Sequence, residues 1–276
     1  MHRRRYLLGV SRSVKGINMN LALKSFCALM HRDLVIFFAT CKDRLINAVV
    51  WGVLTVLVFE YIMPQMGMPG MGSFMASGAI ASWGFAEVTE NISRFIADLE
   101  GERSISYYLT LPMPQWAVFV RLALSNAFQA LFIAIFFIPL FKIILWNSFP
   151  LDQLSLFKFI LIFLLSHLFY GFFSLCLGSQ VRSLDLMGNV WMRIVFPLWW
   201  IGCYQFTWKA LYQGHPWLAL INLLNPLVYI FEGTRAALIG QEEYLDFWFC
   251  CFALIAMTLI AGLFGIQKLK KRLDCL

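Results

Sequence analysis

The feature that most constrains this chain is a recurrence of apolar blocks about twenty residues long, the length of helix that crosses a bilayer's hydrocarbon core. The block 247–266 carries no charged residue, and comparable blocks lie at 45–63, 73–92, 117–141, 156–178 and 190–206. Backbone immersed in hydrocarbon must satisfy its own N–H and C=O groups, so each block is expected to be a helix. Hydrophobic residues make up 61% of the 276 positions and charged residues 13%. One water-soluble core of this length cannot bury that much apolar surface. The expected fold is therefore all-α and integral to a membrane, with six transmembrane helices.

Charge sets the orientation. Sixteen Lys and Arg fall in 1–44, 93–116, 180–189 and the tail, against three (Lys142, Lys209, Arg235) in the alternate connections. The positive-inside rule then places both termini in the cytoplasm, as expected for a multi-pass protein of the inner membrane. The formal charge of +7 is explained by these flanking residues and anionic lipid, and no nucleic-acid partner is expected. Arg3, Arg4 and Arg5 precede too short an apolar stretch for a cleavable signal peptide, so the N-terminus is expected to be retained. Within 1–44, Leu23, Phe26, Met30, Leu34 and Phe37 recur at spacings of three and four. That stripe predicts an amphipathic helix along the inner interface, with Lys24, His31 and Arg32 off it. An N-terminal extension of the first span is the alternative. The division expected is a cytoplasmic segment 1–44, a permease domain 45–267 and a basic tail 268–276.

The seven cysteines are scattered and odd in number, which speaks against a disulfide framework, and the four histidines lack metal-ligand spacing. No metal site is expected. The sequence has no GxxxxGK[ST], GxSxG or HExxH, so the chain has no phosphate-cradling loop and no expected catalytic residue or bound cofactor. Energy for uphill transport must come from a partner or an ion gradient. Glu87 lies nearest the middle of a span and is a candidate intramembrane polar site, while Glu60 and Glu90 fall near span ends.

Two stretches are more distinctive. Residues 98–116 mix charge (Asp98, Glu100, Glu102, Arg103) with aromatics (Tyr107, Tyr108) and end in two prolines. That composition suits a short cytoplasmic helix docking on another protein, the alternative being a plain connecting loop. In 224–240, Asn225 is placed to cap a helix beginning at Pro226, and Gly240 to end it. Such a helix is too short to span and suits a re-entrant position, with Glu232 and Arg235 spaced to pair.

Asn225-Pro226-Leu227-Val228-Tyr229, followed by Glu232 and Arg235, resembles the NP-x-x-Y…E/S-x-x-R stretch of ABC-2 type permeases. The run from Ser104 and Ile105 to Leu109-Thr110-Leu111-Pro112-Met113-Pro114 is similar to their IEELL-x-x-P-x-P/S segment. The resemblance implies two six-span permeases, identical or closely related, bound to two separate ATPase subunits that carry ATP and Mg. It further implies export of a drug, lipid or polysaccharide. Residues near 94–112 become the coupling helix, with Asp98, Glu100, Glu102, Arg103, Tyr107 and Tyr108 toward the ATPase. Asn225, Pro226, Tyr229, Glu232 and Arg235 become the outer gate. The chain departs from the pattern at Ser106 and Tyr107, where many relatives are acidic, which shifts the contact toward Glu100, Glu102 and Arg103. An ion-coupled carrier working without an ATPase is the other functional reading.

Overall fold

From Met19 onward neither glycine nor proline occurs until Gly52, and the backbone takes the consequence. Helix α1 (Met19–Val56) runs unbroken from the basic N-terminal segment into the first apolar block. The expected separate interfacial helix is thus continuous with the span, as in the alternative reading. The computed structural model describes residues 19–67, 70–146, 149 and 153–273, and every regular element among them is helical. Arg3, Arg4 and Arg5, the expected retained N-terminus and Cys275 lie outside the described residues.

After α1, a π-helical turn (Leu57–Ile62) and a 3-10 turn (Met63–Met66) lead into the Pro/Gly/Met connection. Gly67 and Gly70 adopt φ of +83° and +79° there, where a side chain would be strained. Helix α2 (Met71–Glu100) outlasts the expected span 73–92 by two turns at its C-terminal end. A short α3 (Ser104–Tyr108) precedes α4 (Gln115–Ala134) and α5 (Phe137–Leu145). The expected third span is broken at 135–136 because Pro139 cannot donate to the Ile135 carbonyl and its ring crowds that group. Helix α6 (Leu156–Gly178) has the expected bounds.

The fifth block departs most from expectation. A single helix over 190–206 is replaced by α7 (Met187–Val190), a π-helical stretch (Trp191–Val195) and α8 (Phe196–Ile201). Pro197 again lacks the N–H its turn requires, and the ladder widens just before it. Helices α9 (Trp208–Gly214), α10 (Pro216–Asn222) and α11 (Pro226–Leu238) follow, and α12 (Phe247–Leu273) continues through the basic tail. The expected domain boundaries at 44/45 and 267/268 both fall inside helices.

Four helical stretches are long and apolar enough to cross a membrane: Met19–Met66, Gln115–Leu145, Leu156–Gly178 and Phe247–Leu273. Their outer faces remain apolar. On α12, Phe252 is 69% exposed and Ile260 67% exposed, a surface suited to lipid rather than water. Helix α6 is the central post, packed by α12, α4, α2 and α11. Glycine permits the closest approach: a Cβ on Gly171 of α6 would sit 2.2 Å from the Ala123 carbonyl oxygen of α4. Helix α2 buries Gly72, Ala76, Ser77, Gly78, Ala79, Ala81, Ser82 and Gly84, small residues that let neighbours in. At the end of α12, Arg272 donates to the carbonyls of Gly178 (3.0 Å) and Val181 (2.6 Å), satisfying groups that the end of α6 leaves open.

Candidate functional site

The polar residues gather at the two ends of α2. At its C-terminal end the chain turns sharply through Gly101 and Arg103, the latter in the left-handed region at φ +53°. Asp98 makes this turn possible. Its two carboxylate oxygens accept from the amides of Ser104 and Ile105, each at 3.0 Å, and so hold the orphan donors at the start of α3. Tyr108 is likewise turned inward: its hydroxyl accepts from Arg32 of α1, and its ring stacks with the guanidinium groups of Arg32 and Arg121. The polar groups of both residues, expected toward the ATPase, are engaged within the chain itself. Glu100, Glu102, Arg103 and Tyr107 do face outward, Tyr107 being 63% exposed.

Beneath this turn lies a polar chamber of about 230 Å³ between α1, α2, α3 and α4. Arg121, at the start of α4, is 0% exposed and pairs with Asp33 of α1, which also binds Arg32 at 2.7 Å. Arg32 was expected away from the apolar stripe of an interfacial helix. It instead turns into the bundle because Asp33 and Tyr108 compensate its charge. Deeper in, Glu87 is 4% exposed and stands between Arg44 (3.5 Å) and Arg94 (3.6 Å). Arg94 also pairs with Glu90 at 2.8 Å, one turn along α2. Arg44 donates to Gln129 of α4 at 3.0 Å, and Gln129 donates to Ser125 at the same distance. Glu87 is thus a paired carboxylate in a network that joins three helices, not an isolated one. The sequence reading missed Asp33, Arg44 and Arg121. Arg121 carried a visible signal, a charge within an apolar block.

At the other end of α2, α11 packs against its first turns. Asn225 caps α11 by accepting from Leu227 N (3.0 Å), and its amide donates to the Leu198 carbonyl (2.7 Å). Tyr229 donates to the Leu223 carbonyl at 2.7 Å, closing the turn before Pro226. Glu232 and Arg235 do not pair with each other. Glu232 accepts from Trp208 N and Leu245 N, both at 3.0 Å, joining the start of α9 to the approach of α12. Arg235 is fully buried, donates to the carbonyls of Cys203 and Tyr204 at 2.5 Å, and lies 3.6 Å from the Phe74 ring centroid. Cys203 is held there at φ +68°, a conformation stabilised by that hydrogen bond. Asn225, Glu232 and Arg235 thus form a clamp on residues 198–208, while Tyr229 holds the turn that leads into α11.

A helix of α2's length separates the two clusters: from Gly78, beside Arg235, to Glu100 the rise is roughly 33 Å, about the thickness of the hydrocarbon core. The sequence model of the family described as ABC-2 type transporter matches residues 24–239, which takes in both clusters. No curated protein matches the chain.

Proposed function

Because the chain belongs to the ABC-2 type transporter family, we propose that it is the permease of an ATP-driven exporter. Membership makes it a multi-pass membrane transport subunit that works with an ABC ATPase. In our reading two permeases pair in the inner membrane over two ATPase subunits, which bind ATP and Mg. Both chain ends lie in the cytoplasm and the chain crosses six times, through the four long apolar stretches, α2, and the broken 187–201 segment. The cargo is a lipid, glycan or drug-like molecule leaving the cytoplasm.

The observation that carries this reading is the outward-facing turn of Glu100, Glu102, Arg103 and Tyr107, set on a carboxylate-capped α3. A partner that pushes on this turn also moves Tyr108, and with it Arg32 and Arg121 on two other helices. The Asn225 to Arg235 clamp sits at the far end of α2, and we read it as the outer gate.

Charge reversal at Glu100, Glu102 and Arg103 tests the assignment. We expect normal insertion and chain folding, with coupled transport reduced about tenfold or more because the docking charges are mismatched. Wild-type transport by the triple variant would remove the coupling assignment. An ion-coupled carrier would require a carboxylate free to exchange protons, whereas Glu87 is flanked by two arginines. Cargo movement by the chain alone in liposomes would favour that alternative.

A further inference from the structure

Within the inner chamber, the arginines are not equally provided for. Arg44 and Arg94 are matched by Glu87 and Glu90. Arg32 and Arg121 share one carboxylate, Asp33. Asp98 also lines the chamber, but both its oxygens are engaged by the amides of α3. Taken by itself, the Arg32–Asp33–Arg121 group carries one positive charge in excess among the described residues, although Asp98 keeps its own charge elsewhere in the chamber wall.

Its donors are also incomplete. Arg121 gives Nη1 to Asp33, while its Nε and Nη2 have no partner among the described residues although the side chain is 0% exposed. Those two atoms form one edge of the guanidinium plane, the edge that takes two oxygens of a phosphate or carboxylate side by side. The Nε of Arg32 is likewise buried and without a partner among the described residues. Tyr108 stacks on both guanidinium groups and so occupies a face of each. A buried donor without an acceptor is costly, and three beside one uncompensated charge describe a missing anion.

We propose that the chamber between α1, α3 and α4 binds a singly charged phosphodiester, held by the free edge of Arg121 and by Arg32. One negative charge balances the excess, two oxygens match the guanidinium edge, and about 230 Å³ admits a phosphate with its first substituents. The chamber lies where the basic N-terminal half of α1 meets the turn after α2, the level at which phospholipid headgroups lie in the export reading. The source is either such a headgroup or a soluble phosphodiester. Binding does not depend on transport, so a failure here leaves the exporter reading standing.

The experiment uses the full chain in neutral detergent and follows thermal stabilisation by three probes. These are dioleoyl phosphatidylglycerol, dioleoylglycerol with the same tails and no phosphate, and soluble glycerophosphoglycerol. Phosphatidylglycerol is expected to stabilise and dioleoylglycerol not to. Arg121→Lys, which keeps the charge but loses the edge, and Arg32→Gln are each expected to weaken binding about tenfold. Arg32 is 42% exposed in its side chain and leaves the Asp33–Arg121 pair intact, so its variant decides the matter should Arg121→Lys fail to fold. Binding of glycerophosphoglycerol with the same variant sensitivity would identify a soluble source, and its failure beside lipid binding would identify a headgroup. Equal affinity in wild type and variants, or no binding of either phosphodiester, would overturn the proposal.

Discussion

Asp98, Glu232 and Arg235 have in common that each serves backbone rather than a matching charge. Side chains recognised as a charged handle or an ion pair from their spacing are, in three dimensions, the groups that hold turns together. Asp98 stabilises the amides at the start of a helix only five residues long, which has almost no stability of its own. Asp98→Ala is expected to cost about 1 kcal/mol, the worth of a lost N-cap, and to leave global unfolding nearly unchanged. The readout is hydrogen exchange of the 104–108 amides. Exchange as slow as in the wild type would mean that α3 does not depend on this carboxylate. Arg235 is the counterpart at the opposite end of α2, where burial of a full charge is offset by two carbonyls and an aromatic face.

Between elements, packing depends on glycine more than on apolar bulk. In lipid, burial of Leu against Leu drives no association, because the tails are equally apolar, so helices gain by approaching closely. Gly171 lets α6 meet the backbone of α4, and a Cβ there would lie 2.2 Å from a carbonyl oxygen that cannot move without its helix. Gly188, by contrast, has nothing among the described residues within 4 Å of its would-be Cβ. Gly171→Ala should therefore destabilise the bundle by about 1–3 kcal/mol through over-packing, while Gly188→Ala should be close to neutral. Thermal unfolding in one detergent compares the two, and equal midpoints would show that the α4–α6 contact relaxes freely.

For the whole molecule, the exposed turn after α2 and the clamp around α11 lie at opposite ends of the bundle, which in our reading puts them on opposite sides of the membrane. Thr110 beside α3 and Gln213 on α9 are both exposed, so each tolerates a reporter. In a background without the exposed Cys27, an impermeant maleimide applied to intact cells should label Gln213→Cys and leave Thr110→Cys unlabelled until the membrane is opened. The opposite pattern would invert the topology and remove the ATPase contact from the cytoplasm.

The sequence by itself determined the helical, membrane-embedded class, the bounds of α6, the capped start of α11, and the charged turn after the second block. All of these rest on local terms: transfer of apolar side chains, backbone self-satisfaction and capping chemistry. Breaks at Pro139 and Pro197 were equally local and were legible in principle. The tertiary structure alone decided that Arg32 faces inward, that Asp33 joins it to Arg121, that Glu87 is paired twice, and that Glu232 and Arg235 part company. The partners that compensate these charges lie 76 and 88 residues away, and no spacing rule reaches that far along the chain.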